Sequence, residues 1–443
     1  MNLLITMENQ LQKAKELRQS HKFEEAVSLY EEMHNDEAIV FNNWDVWSYV
    51  HCLKKSGQLD KSIQISEKYI EEYPNFENLK NNLVWALFDK YIRQFNPDLI
   101  NDIEKGLGRI FALNEQQIVN EENEIPCPFT IGVFKVLKHY KKPNFNSFKI
   151  RHWIDKIDPE KLSKQEQTID QDGVERKLAS DYEKYYSFLI SLLYSEGSFE
   201  KCIESADFAL NTISNLHYNN SSWFKRRMAL SYFELGNYEK AEEILKPLDK
   251  GANEKWFIEY ELSQIYFEQE DYKKALEFAL KAGKNFGEDL MKVNLYTHLA
   301  RIFFKQNKLE YSKAHAELVI AIKQANGSRL DTKQEKLVTF FKLNKDVVIN
   351  LRDQKRKVEN IWNDILFEDQ EKLVGRITKI LPNGKSGFIS ADNNRESYFF
   401  SFQSVHGNKR HVEEGKRVSF YLKEGFDKKR NEKKMNATEI RIV

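Results

Sequence analysis

The chain has 443 residues, 41% of them hydrophobic and 31% charged, with 68 Lys+Arg against 68 Asp+Glu. That length suits two to four domains of ~150 residues, with enough apolar content for real cores. The zero net charge hides an asymmetry. From Glu371 onward there are 16 basic and 9 acidic residues, a net of +7, so the body before it carries −7. An acidic body with a basic end points to nucleic acid at the C-terminus. Cys52, Cys127 and Cys202 lie far apart with no CxxC, which excludes zinc-binding, thioredoxin-like and disulfide frameworks and fits a reducing, cytoplasmic compartment. The opening MNLLITMENQLQKAKE turns polar too early for a signal peptide, and no apolar run reaches the ~18 residues of a membrane span.

In chain order, one pattern recurs. An apolar stretch is followed by a glycine or polar turn, an aromatic or Leu, a small residue three positions on, and a second apolar stretch. It appears at Phe23/Ala26, Leu59/Ser62, Phe199/Cys202, Tyr238/Ala241, Tyr272/Ala275 and Leu309/Ser312. The small-residue anchors are 36 residues apart from Ala26 to Ser62, 39 from Cys202 to Ala241, 34 on to Ala275 and 37 on to Ser312. A turn glycine such as Gly57, Gly197 or Gly236 tolerates the left-handed conformation that ends a first helix. The small residue then lets a second helix approach the first closely.

This pattern resembles the tetratricopeptide repeat, whose units stack into a superhelix because none buries its apolar face alone. The resemblance implies a protein partner held in a concave groove lined by the first helix of each pair. Residues 1–113 are predicted to form N-terminal repeats, 114–130 a loop or hinge marked by Pro126 and Pro128, and 131–330 a second solenoid segment. The polar stretch Ser163 to Val174 reads as a surface excursion. Residues 331–370 read as a capping or linker helix. Its basic patch from Arg352 to Lys357 belongs either to a cap that closes the solenoid or to a nucleic-acid surface.

From 371 to 443 the texture changes to short alternating strands. They are placed at Val374–Ile380, Ser386–Ser390, Ser397–Phe402, Gly415–Leu422 and Ala437–Val443, with Lys423–Lys434 as a mobile, basic hairpin loop. Five short strands in this length fit an OB-fold barrel. The stretches GRITKI from Gly375, GKSGFI from Gly384, SYFFSF from Ser397, EGKRVSF from Glu414 and ATEI from Ala437 follow one another in the order of the cold-shock motifs. The segment therefore resembles a cold-shock domain, which implies single-stranded RNA or DNA stacked on sheet aromatics. Carried over by position, those aromatics are Phe388, Phe399 and Phe402, with Lys379, Lys385 and Arg376 available for phosphates. Lys379, Ser386 and Ser401 stand where the family has a tryptophan, a phenylalanine and a histidine. Binding is therefore expected to be weak and of low sequence specificity.

Gly384-Lys385-Ser386 looks like the end of a phosphate loop, but Lys379 occupies the position of the required glycine. HExxH, GxSxG and GxGxxG are absent, and the ten histidines form no i,i+4 pair. No catalytic residue, metal ligand or cofactor is therefore assigned. The helix positions that clamp carboxylates in one tetratricopeptide subset correspond to Arg226, Leu230, Tyr260, Gln264, Thr297 and Arg301, which is not the clamp. Arg226, Tyr260, Gln264 and Arg301 remain as groove candidates for a protein partner of acidic character. The fold class expected is a mostly α tetratricopeptide-like solenoid followed by a five-stranded OB-fold, cold-shock-like barrel. The function expected is a non-catalytic adaptor that binds protein and single-stranded nucleic acid. The alternative is a purely protein-binding scaffold whose barrel docks a protein, including as an accessory part of a bacterial conflict system.

Overall fold

Each helical hairpin closes through the same hydrogen-bonded turn. In the computed structural model, which describes residues 2–36, 39–113, 127–142, 145–249, 255–406, 409–427 and 432–443, the turns follow His21, Gly57, Gly197, Gly236, Glu270 and Asn307. All six residues have positive φ, from 58° to 80°. In each turn the residue after the left-handed one donates its N–H five residues back. Examples are Gln58 to the Leu53 carbonyl, Asn237 to Tyr232, Asp271 to Tyr266 and Lys308 to Phe303, at 2.8–2.9 Å. This is the Schellman motif, which satisfies carbonyls that a helix end leaves bare. Gly57, Gly197 and Gly236 enter it freely, whereas Glu270 and Asn307 carry a Cβ into the same conformation.

The small residue of each pair is fully buried. Ala26, Ser62, Cys202, Ala241, Ala275 and Ser312 are all 0% exposed. Where that residue is polar, its side chain bonds a carbonyl of the preceding helix twelve residues back. Ser62 Oγ donates to Val50 at 2.8 Å, Ser312 Oγ to Ala300 at 2.7 Å, and Cys202 Sγ to Ile190 at 3.5 Å. A buried hydroxyl needs such a partner, and the close approach of the two helices supplies it.

The chain divides into two compact units, Met1–Leu248 and Asp249–Val443. The first contains α1 (Asn2–Gln19), α2 (Phe23–His34), α3 (Asn43–Lys55), α4 (Leu59–Glu72), α5 (Glu77–Tyr91), α6 (Ile100–Leu113), α7 (Pro128–Lys141) and α8 (Ser147–Ile154). A hairpin, β1 (Gln167–Gln171) and β2 (Val174–Leu178), precedes α9 (Asp181–Ser195), α10 (Phe199–Thr212), α11 (Asn220–Glu234) and α12 (Tyr238–Leu245). The hairpin occupies the predicted excursion and is almost wholly exposed. Most of the expected 114–130 loop lies outside the described residues. Its last three positions are helix, because Pro128 at the first helical position suits the start of α7.

The second unit holds α13 (Trp256–Glu268), α14 (Tyr272–Lys284), α15 (Val293–Lys305), α16 (Leu309–Ala325), α17 (Thr332–Phe340) and α18 (Leu351–Leu366). Two helices thus stand where 331–370 predicted one. Val358, Ile361 and Trp362 of α18 join the apolar core of α13–α16. The Trp362 indole N–H donates to the buried His315 Nε2 at 2.8 Å. Gly283 admits that ring, since a Cβ there would lie 2.7 Å from it. In the basic patch, Lys355 pairs with Asp289 at 2.9 Å and Lys357 with Glu317 at 3.1 Å. The α18 helix therefore packs as a cap. The helical part is a tetratricopeptide-like solenoid, and among the described residues no helix is long and apolar enough to cross a membrane.

The C-terminal strands are β3 (Leu373–Ile380), β4 (Ser386–Ala391), β5 (Ser397–Ser401), β6 (Arg417–Asp427) and β7 (Glu432–Ile442). They close in the order β3-β4-β5-β7-β6, with β5 and β7 parallel and the other neighbours antiparallel. Ile377, Ile389, Phe400, Val418, Phe420 and Ile440 fill the interior at 0–1% exposure. The expected loop Lys423–Lys434 is corrected. Apart from 428–431, outside the described residues, it is paired strand from Lys423↔Asn436 to Asp427↔Glu432. The segment is charged and has no apolar alternation, yet its backbone pairing extends beyond the apolar barrel interior.

Two substitutions test the helical turns and crossings. Ala275→Leu overfills a crossing with no free space and is expected to cost about 1–3 kcal/mol. Glu270→Gly removes a Cβ from a left-handed position and should gain about 0.5–1 kcal/mol. Urea midpoints of the full chain, read by circular dichroism, would move in opposite directions.

Candidate nucleic-acid interface and solenoid pocket

Register assembles the barrel's outer face. Lys379 on β3 pairs with Phe388 on β4, Phe388 with Phe399 on β5, Phe399 with Asn436 on β7, and Asn436 with Lys423 on β6. A β-bulge between Ile377 and Lys379 brings Lys379 onto this row while Ile377 stays inside. The two phenyl rings meet edge to face with centroids 5.8 Å apart, and both are half-buried. Lys379 and Lys423 are exposed at the two ends. The result is an aromatic pair flanked by cations, with an amide beside it.

The other predicted residues fall elsewhere. Phe402 does not join the row. It begins a short 3-10 turn, lies parallel to the buried Phe400 at 5.8 Å, and packs against the barrel core. Arg376 sits on a neighbouring outward row opposite Ser390, where its guanidinium donates to the Gly415 carbonyl at 3.2 Å. Lys385 is exposed in the β3–β4 turn, and its carbonyl accepts the Phe402 N–H. Ser386 and Ser401, at two of the positions that depart from the cold-shock motif, face each other across β4 and β5. Lys423 and Asn436 were missed as members of the row. The charged stretch Lys423–Asn436 carries no period-two apolar signal that could have found them.

The barrel rests on the helices of its own unit through a different patch. Phe367, just past α18, stacks on Tyr421 of β6 with centroids 4.4 Å apart. Arg441 donates to Asn360 at 2.6 Å. Lys284 at the end of α14 bonds both Asn363 at 2.9 Å and Glu439 at 2.8 Å, and His406 holds the other Glu439 oxygen. Burial alone would raise the Glu439 carboxyl, but the hydrogen bonds from His406 and Lys284 outweigh it and bring it down to about 2.

Among the predicted groove residues, Tyr260, Gln264 and Arg301 come together. With Asn294, Thr297, His298, Asp331 and Lys333 they line an open cavity of about 440 Å³. Burial pushes the Tyr260 phenol up to about 12, against the opposing charge of Arg301. Arg226 belongs to the other compact unit, on α11, where its guanidinium lies 5.3 Å over the Trp223 ring. His298 and Lys333 were missed, because Lys333 lies on α17 and only the packing of the helices brings it beside α15. Among the described residues, no cluster of three His, Cys, Asp or Glu side chains is arranged to hold a metal ion.

Residues 222–340, from α11 to α17, match a family model described as a domain of unknown function, DUF7017. No curated protein matches the chain. Among solved structures, a tetratricopeptide repeat protein from Parabacteroides merdae is similar at 11% identity, over 65% of this chain and 96% of its own, with a TM-score of 0.27. The signal-transduction ATPase with a tetratricopeptide repeat sensor from Pyrococcus horikoshii is similar at 15% identity, over 79% and 54%, with a TM-score of 0.38. A human IFIT1 dimer with m7Gppp-AAAA is similar at 14% identity, over 78% and 72%, with a TM-score of 0.35. These scores are too low to carry an argument about the whole chain. The repeat class stands on the shared turns and buried anchors described above.

The latch around Glu439 has an acid signature. A carboxyl held below its unfolded value of ~4.3 contributes fully above that pH and loses its contribution as pH falls toward its folded value. Glu439→Gln is therefore expected to lower the melting temperature at pH 7. The gap to the wild type should close between about pH 4.3 and about pH 2. Calorimetric scans of both proteins across that range would check it.

Proposed function

We propose that the chain is a non-catalytic adaptor in which the solenoid binds protein and a cold-shock-like OB barrel binds single-stranded RNA or DNA. The observation that carries the nucleic-acid half is the row Lys379–Phe388–Phe399–Asn436–Lys423. Bases of any identity stack on phenyl rings, and the flanking lysines suit phosphates. The strand order, with its one parallel pair between the third and fifth strands, supports the OB assignment. The latch residues Tyr421, Glu439 and Arg441 lie off the row, so docking leaves it available. With Ser386 and Ser401 beside only two ring faces, binding is weak and tolerant of sequence.

One observation favours a second reading, in which the barrel is a protein-docking module. It already docks on α14 and α18 through a half-buried carboxylate and a stacked ring pair. The same experiment separates the two. In anisotropy titrations of the full chain with labelled oligouridylate and oligothymidylate at low salt, Phe388→Ala and Phe399→Ala should each weaken binding by about 1–3 kcal/mol, roughly 5- to 150-fold. Lys379→Ala and Lys423→Ala should each flatten the log–log salt slope by about 0.7. Phe402→Ala should act on stability instead. Absence of binding by the wild type, or binding indifferent to both phenylalanines, would leave the docking reading.

A further inference from the structure

The solenoid pocket on α13, α15 and α17 continues into an apolar cleft. Phe267, Phe304, Leu337 and Phe340 form its floor, in a cavity of about 400 Å³ that shares Arg301 and Lys333 with the polar pocket. Phe304 and Phe340 are 39% and 54% exposed and meet edge to face at 4.9 Å. Four cations, Arg301, Lys305, Lys333 and Lys336, ring this floor. None of them forms an ion pair with a carboxylate among the described residues. Glu335 on the same helix is engaged by Lys345 at 2.7 Å. Asp331 accepts the Lys333 and Gln334 N–H groups as the α17 cap.

At the polar end lies an unanswered acceptor. Ser263 Oγ donates its single hydrogen to the Ala275 carbonyl at 2.6 Å, so its 3.0 Å contact with His298 Nε2 requires the proton to sit on Nε2. His298 Nδ1 then presents a lone pair, and it has no hydrogen-bond partner. The ring is 3% exposed and lines the pocket. Burial holds its value down at about 3, so it stays neutral and keeps that acceptor at physiological pH. A buried acceptor of this kind calls for an N–H or O–H donor.

We propose that this double pocket binds an acidic peptide segment carrying a bulky apolar side chain. The carboxylates meet Arg301, Lys333 and Lys336, and the apolar side chain enters the phenylalanine cleft. The surplus of unpaired cations selects the charge of the partner. The edge-to-face phenylalanines make a slot for an aliphatic or aromatic side chain. The proposal rests on reading the solenoid as protein-binding, and it names the chemistry of that partner.

The test uses the full chain and labelled twelve-residue peptides. One is glutamate-rich with two leucines, a second has glutamine for glutamate, and a third has serine for leucine. The first should bind at least tenfold more tightly than either control at low salt. The exposed-surface variants Lys333→Glu/Lys336→Glu and Phe340→Ser should each weaken it at least fivefold while leaving the thermal melt unchanged. Equal binding of the glutamate and glutamine peptides, or binding indifferent to both variants, overturns the proposal. So does oligouridylate binding that is lost in Lys333→Glu/Lys336→Glu and kept in Phe388→Ala, which would assign the pocket to nucleic acid. A protein partner that crosslinks to the wild type and equally to Lys333→Glu/Lys336→Glu keeps the scaffold reading and removes this pocket from it. If neither peptide nor any protein partner is bound, the scaffold reading falls as well.

Discussion

The helical architecture depends on one contact, the approach of each second helix to its predecessor at a residue with no side chain to spare. Six such residues, from Ala26 to Ser312, are buried to 0% exposure. At that separation the serines and the cysteine reach a carbonyl of the facing helix, so the crossing is fixed by a hydrogen bond as well as by packing. The Schellman turn that precedes each crossing sets the angle at which the second helix returns. Units built this way bury one face against the next, and the end of the stack must be covered by something else. In the second unit that cover is α18, with Trp362 reaching His315 across the space left by Gly283.

The cap also carries the barrel. Lys284 ends α14, touches Asn363 of α18, and reaches Glu439 of β7, so one ammonium group ties a repeat, the cap and a strand together. Glu439 takes a positive φ of 53° to meet it, a conformation a non-glycine residue adopts at a cost. The latch side chains Tyr421, Glu439 and Arg441 come from β6 and β7, whereas the two phenylalanines come from β4 and β5. The functional reading follows from this division. One patch of the barrel is committed to the helices, and a second presents two phenylalanines between lysines.

Much of this was legible in the residues. The anchors Ala26, Ser62, Cys202, Ala241, Ala275 and Ser312 announce themselves by spacing, because a small residue at a fixed place after a turn has few other uses. The first four barrel strands begin within two residues of their expected starts, since alternation of Ile377, Ile389 and Phe400 with polar neighbours is a strong period-two signal. Lys423–Lys434 was misread because a charged strand pair that projects past the core has no apolar face to alternate. Glu270 and Asn307 were legible as polar turns ahead of Tyr272 and Leu309, but a side chain in the left-handed region gives no compositional sign of that angle.

What the sequence by itself determined is local. Helix, turn and strand follow from periodicity and from residues suited to special backbone angles, all decided within a few positions of the chain. What only the tertiary structure decided is which side chains share a surface. Phe388 and Phe399 meet because two strands pair in one register, while Phe402, two residues past Phe400, turns back onto the core. Lys423 and Asn436 join Lys379 only through closure of the barrel, and His298 and Arg301 of α15 meet Tyr260 of α13 and Lys333 of α17 only because three helices converge. Register and convergence are set by the summed burial of distant residues, and no single stretch of sequence contains that sum.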